Sequence, residues 1–130
     1  MLTHIRKMMN ANGAGQQTPA PTGGPSVSFI VILYDMPLQA EKTLYSLSAE
    51  YQQGVTASDY EVIVVENESA NNLDRHFVAR LPENFSYHLR AEREPTPVHA
   101  INHGVGISRG RHVCVMIDLS LIHISEPTRL

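Results

Sequence analysis

Three acidic side chains stand at or just past the ends of apolar runs. Tyr34-Asp35 follows Val27 to Leu33, Glu66-Asn67 follows the β-branched quartet Val62 to Val65, and Asp118 follows His112 to Ile117. Carboxylates so placed can accept hydrogen bonds from ribose hydroxyls or from a base N–H, or hold a divalent cation that neutralises phosphates. They do not suit the direct cradling of a phosphate. Taken alone, Glu66 is either a ligand-binding group at a strand end or an ordinary solvated loop acid.

The elements that must position these acids follow from the pattern around them. Val27 to Leu33 and His112 to Ile117 are apolar nearly throughout, and Tyr60 to Val65 ends in four apolar residues, so all three read as strands buried on both faces. Phe85, Tyr87 and Leu89 alternate with polar residues, which predicts a third strand in chain order with one face less buried, at a sheet edge. Between the strands lie three helical stretches. Ala40, Leu44, Leu47 and Tyr51 give a helix from Leu38 to Tyr51, with Asp35 able to cap it and Pro37 in its first turn. Leu73, Phe77 and Leu81 give a second, begun by Ser69 and stopped by Pro82. Thr96-Pro97 starts a third, with Val98, Ile101 and Val105 on its buried side until Gly110 ends it.

The order β-α-β-α-β-α-β with buried strands predicts an α/β fold of about four parallel strands, helices on both faces and right-handed crossovers. With the first strand between the second and the fourth, Tyr34-Asp35, Glu66-Asn67 and Asp118 all emerge at the carboxyl edge of the sheet, where such folds bind ligands. Three acids would then share one crevice.

Composition narrows the field of functions. The 130 residues allow one domain, and a net charge of −3 with 42% hydrophobic and 18% charged residues is that of an ordinary globular protein with no nucleic-acid or membrane surface. Arginines between Arg90 and Arg111 are interrupted by acids and read as a solvated face. No apolar run approaches the roughly 18 residues of a membrane span. Met1 to Asn10 lacks the apolar centre of a secretory signal, so cytoplasm is the default. The single cysteine, Cys114, rules out an internal disulfide and reads as a small buried hydrophobe.

Several chemistries are disfavoured. Tyr34 to Ala40 contains no glycine, so the dinucleotide fingerprint is missing, as is the phosphate-loop lysine motif. Ser69 lacks the flanking glycines of a hydrolase nucleophile turn. His99 and His103 lie four apart on the third predicted helix, but Ala100 stands where a zincin has Glu, and they read as surface histidines. Gly104 and Gly106 in that helix cost roughly 1 kcal/mol each against alanine, which points to a tight contact of helix on sheet or of backbone on ligand.

Taken in order, these segments resemble the inverting, family-2-like glycosyltransferases of the GT-A fold. Val-Ser-Phe-Ile-Val-Ile-Leu-Tyr-Asp is similar to that family's opening strand and turn, with Asp35 in place of the common Asn. Val-Ile-Val-Val-Glu-Asn-Glu-Ser is similar to its Val-Val-Asp-Asp-Gly-Ser segment. Ala100-x-Asn102-x-Gly104 with Ser108-x-Gly110 is similar to its Ala-Arg-Asn-x-Gly and Ala-x-Gly helix, and the strand ending at Asp118 is similar to the one leading into its Asp-x-Asp. The resemblance implies a Rossmann-like GT-A half-domain that binds a nucleotide-diphosphate sugar, usually a uridine diphosphate sugar, for transfer with inversion. By it, Glu66 would accept the base N–H, with Tyr34, Asp35 and Asn67 near the base or ribose. Asn102 would help shape the sugar-diphosphate pocket. Asp118 would be the first acid of a site for Mg or Mn that assists departure of the nucleotide. Ile101 replaces the family's Arg, the glycine near Thr96-Pro97 is missing, and Asp118 is followed by Leu-Ser instead of x-Asp.

The two ends stand apart. Residues 1–25 are expected to be a disordered leader, since Asn10 to Pro25 offers almost nothing to bury. Residues 119–130 are expected to be foreign: Leu119 to Arg129 resembles, codon for codon, the translation of a transposase adaptor used in DNA sequencing libraries. On that expectation residues 26–118 are the donor-binding part of a transferase whose second metal acid, acceptor part and catalytic base lie elsewhere, and the chain is inactive by itself. The competing reading is a non-catalytic nucleotide- or sugar-binding α/β module in which Asp118 binds no metal.

Overall fold

The computed structural model describes residues 24–119. The expected leader, apart from Gly24 and Pro25, and the expected foreign tail, apart from Leu119, lie outside the described residues.

The chain forms strand β1 (Val27–Tyr34), helix α1 (Pro37–Ser46), strand β2 (Tyr60–Asn67), helix α2 (Arg75–Ala79), strand β3 (Phe85–Arg90), helix α3 (Val98–Ile107) and strand β4 (His112–Leu119). The four strands make one sheet in the order β3-β2-β1-β4, and every pairing is parallel. The predicted α/β class and the central place of β1 are therefore observed, as is the edge position of β3. Leu33 is in register with both Glu66 and Asp118, so the three strand ends do lie along one edge.

Alternation along the strands divides the core into two layers. Val27, Phe29, Val31 and Leu33 of β1, with Val62 and Val64 of β2, pack under Ala40 and Leu44 of α1, Leu47 just beyond it, and Leu73. Ile30, Ile32, Ile63 and Val65 pack on the other side, against Ala100 of α3. Helices thus cover both faces, as buried parallel strands require.

The helices differ from expectation in ways that polar side chains explain. Helix α1 stops at Ser46 instead of reaching Tyr51. Its last carbonyls are taken by side chains beyond it: Ser48 Oγ donates to the Tyr45 carbonyl, Gln52 Nε2 to that of Ser46, and the Tyr60 hydroxyl to that of Leu47. Asp35 does not cap this helix. Met36 occupies the cap position, and Asp35 has a left-handed backbone with φ of 57°, a conformation that Asp and Asn tolerate better than most residues.

Helix α2 is a short turn capped by Asp74, whose Oδ2 accepts from the Phe77 N–H at 3.2 Å. Ser69 does not begin it. The stretch before it folds on its own polar groups, with the Ser69 N–H donating to Asn72 Oδ1 at 2.9 Å and the Asn71 N–H to Ser69 Oγ at 3.1 Å, and such local bonds compete with helix.

Helix α3 ends at Ile107, short of Gly110, and buries Ala100 and Gly104 where Val98, Ile101 and Val105 were expected. Val98 and Val105 are exposed, and Ile101 is half-buried. The small residues face the sheet because the helix lies close: a Cβ on Gly104 would sit 2.5 Å from Ile30 Cγ2, whereas one on Gly106 meets nothing within 4 Å. The tight contact inferred for both glycines is therefore a helix-on-sheet contact at Gly104 alone. Strand β4 is also not buried on both faces, since Val113, Val115 and Ile117 are exposed.

Candidate functional site

Residues one apart on a strand face opposite ways, and this parity sorts the predicted site residues. Glu66 continues the Val62 and Val64 series toward α1 and α2. Its side chain is 1% exposed, lying inside the strand and not in a solvated loop. Both carboxylate oxygens accept from the Leu73 N–H at 3.1 Å, and Oε1 also accepts from the Tyr87 hydroxyl. Burial raises its proton affinity above that of an ordinary carboxylate, outweighing the two donors. The same burial and the neighbouring carboxylate push the Tyr87 hydroxyl up. Glu66 thus ties β2 to β3 and to the start of α2, with its hydrogen-bonding capacity turned inward.

Asn67 faces the other way. It is 4% exposed, and its Oδ1 is buried without a hydrogen-bond partner. It lines a cleft of about 200 Å³ together with Tyr34, Glu68 and the segment from Glu92 to Pro97. Tyr34 and Asn67 are the last residues of the adjacent strands β1 and β2, so the cleft opens at the carboxyl edge of the sheet, beside the start of α3. A buried amide oxygen with no donor costs on the order of 1–3 kcal/mol, and a ligand N–H or O–H would relieve it.

The outer wall is the β3–α3 connection, braced by Glu92. Its carboxylate takes Arg90 Nη1 at 3.0 Å and His99 Nδ1 at 3.2 Å, and accepts the Glu94 N–H at 3.3 Å. These partners, His99 first, hold the Glu92 carboxyl down at about 2. Thr96 Oγ1 accepts from the Val98 N–H at 3.1 Å and orders the helix start. Composition marks this connection as a solvated charged stretch, and its role was missed. The available signal was the alternation Glu92-Arg93-Glu94 set between a strand end and a proline-led helix.

The other predicted residues do not line the cleft. Asp35 Oδ1 accepts from Asn71 Nδ2 at 2.9 Å and joins the loops after β1 and β2. Asp118 Oδ2 accepts from Thr43 Oγ1 at 2.8 Å, on the α1 side of the sheet. Asn102 is exposed on α3. Asp35, Glu66 and Asp118 therefore share an edge but not a crevice, because each is turned to a different partner.

A site for Mg or Mn needs several oxygen ligands converging on one point. Among the described residues no group of three or more His, Cys, Asp or Glu side chains could hold a metal ion. Asp118 is engaged by Thr43 and belongs to no such group, so the described residues do not fit that ion.

Fold and cleft together define an α/β protein with a four-stranded parallel sheet and a small strand-end cleft. Comparison with family models, with curated proteins and with solved structures finds no match. Among the described residues no helix is long and apolar enough to cross a membrane.

Proposed function

We propose that the cleft binds the base of a nucleotide-diphosphate sugar, uridine-linked by the family resemblance, as the donor-binding part of an inverting glycosyltransferase. The observation that carries this reading is Asn67, which lines the cleft and whose Oδ1 is buried without a hydrogen-bond partner. An imide or amide N–H on a base edge is the donor that such an oxygen lacks. Glu68 and Glu94 suit ribose hydroxyls, and Arg93 in the same lining offers a cation to the diphosphate. The cleft is smaller than the roughly 300 Å³ at which pockets for drug-sized ligands begin, which fits one ring and not a whole nucleotide sugar. Glu66, to which the resemblance assigned the base contact, serves the fold in this reading through its bonds to Leu73 and Tyr87.

Titration calorimetry of the folded chain with uridine diphosphate tests it. Saturable heat is expected, and Asn67→Leu should weaken binding about tenfold, the worth of one hydrogen bond of about 1.4 kcal/mol, while Glu66→Gln binds like the parent. No heat at millimolar nucleotide, or an unchanged Asn67→Leu, would refute the proposal.

The second reading, a non-catalytic nucleotide-binding module, is favoured by one observation: the Asp118 carboxylate is turned to Thr43. The sugar decides between the two. Tighter binding of a uridine diphosphate sugar than of uridine diphosphate supports the transferase, and equal binding of both supports the module.

A further inference from the structure

Among the described residues strand β4 has a single neighbour in the sheet, β1. The His112 N–H donates to the Ser26 carbonyl at 3.1 Å, and in a parallel ladder alternate residues turn both backbone groups to the same neighbour. His112, Cys114, Met116 and Asp118 therefore bond to β1, while Val113, Val115 and Ile117 present their N–H and C=O groups outward. The side chains of those three are also 42%, 40% and 47% exposed, on the α3 side of the sheet. The opposite edge is guarded: β3 carries Ser86, His88 and Arg90. Between Val113 and Ile117, β4 has no charge and no proline, the devices that normally keep an edge from pairing.

We propose that β4 is an interface between two copies of this chain, paired antiparallel edge to edge about a twofold axis at Val115. In that register Val115 faces Val115 of the second copy and Val113 faces its Ile117. These are the residues whose backbone groups point outward, so three hydrogen-bonded pairs form, with two bonds from each. The register also sets His112 opposite Asp118 of the second copy at both ends, an imidazole against a carboxylate. Centring on Val113 or Ile117 meets the same backbone requirement but loses the His112–Asp118 pairing and shortens the overlap. Donor–acceptor complementarity at the ends and apolar self-complementarity in the middle thus select one partner and one register. Two four-stranded sheets become one continuous sheet.

Sedimentation velocity of the full chain over a micromolar concentration series should show a reversible monomer–dimer equilibrium. Val115→Lys, at an exposed position that leaves the fold intact, sets two ammonium groups face to face and should abolish the dimer. His112→Glu, which opposes two carboxylates, should weaken it about tenfold or more. In a Cys114→Ser background, Val115→Cys should cross-link to itself under mild oxidation, because opposed Cα atoms about 5.5 Å apart fall within disulfide reach, whereas Val113→Cys should not. A monomer at every concentration, a dimer that survives Val115→Lys, or polydisperse aggregation would overturn the interface. So would amide protection at Val113, Val115 and Ile117 that does not vary with concentration, since the edge would then be covered from within the chain.

Discussion

Two glutamates of β2 show how local partners decide what a buried carboxyl does. Glu61 accepts Ser28 Oγ at 2.5 Å, the Arg109 N–H at 2.7 Å and Arg109 Nε at 3.1 Å. Burial works to raise its proton affinity, but these donors and the guanidinium charge prevail and hold it below the usual carboxylate range. Glu66 has fewer donors and no cation, and burial prevails. The linkage signs are therefore opposite. Glu61 adds stability that is fully present above its unfolded value and is lost as pH falls through its lower folded value. For Glu66, stability falls as pH rises from the unfolded toward the raised folded value, because the folded state holds its proton longer. Urea unfolding from about pH 3 to pH 7 should show Glu61→Gln flattening the acid limb and Glu66→Gln flattening the slope above it. Glu66→Ala should cost about 2–3 kcal/mol by leaving the Leu73 N–H and the Tyr87 hydroxyl without their acceptor. An unchanged unfolding midpoint in that variant would show that the carboxylate contributes nothing to the fold. Asn67→Leu should behave in the opposite sense: with its unpartnered oxygen removed, melting temperature should hold or rise even as nucleotide binding weakens.

Among the elements, α3 is the most informative, because its two glycines separate packing from propensity. Gly104→Ala drives a Cβ into Ile30 and should destabilise by about 1–3 kcal/mol despite alanine's better helix propensity. Gly106→Ala meets open space and should stabilise by up to about 1 kcal/mol. Thermal melts of the two variants should move in opposite directions, and equal shifts would contradict the close seat of α3 on β1. At the far end of the helix, Gly110 is held by a different constraint. Its N–H donates to Ser28 Oγ at 2.7 Å, and a Cβ there would press on Ser28 N at 2.6 Å, so the α3–β4 turn is locked to the start of β1. The Glu61, Ser28 and Arg109 contacts lie at this same amino edge. It is bound for stability, while the carboxyl edge keeps a cleft.

For the molecule as a whole, the cleft and the β4 edge are separate features, since no β4 residue lines the cleft. Nucleotide affinity should therefore be unchanged in Val115→Lys, and the dimer should be unchanged in Asn67→Leu. Cross-effects in calorimetry or sedimentation would mean that the two surfaces are coupled through β1.

The class of fold, the element order and the row of polar residues along one sheet edge were legible in the amino-acid pattern. Periodicity and composition are local properties, and Val27 to Leu33, Tyr60 to Val65 and Phe85 to Leu89 carry them openly. Helix lengths were less legible, because donors such as Ser48, Gln52 and Asn72 end or replace helical turns without altering the apolar spacing. Orientation was left to the tertiary structure. In Val62 to Val65 every residue is apolar, so the strand has no amphipathic phase, and nothing local says which of Glu66 and Asn67 faces which layer. Packing of α1 and α2 on one side and α3 on the other decides it. Glu66 goes inward to Leu73 and Tyr87, and Asn67 goes to the cleft. The exposure of β4 was hidden for the same reason. Its apolar run reads as buried on both faces, but α3 packs chiefly over β1 and β2 and leaves Val113, Val115 and Ile117 bare.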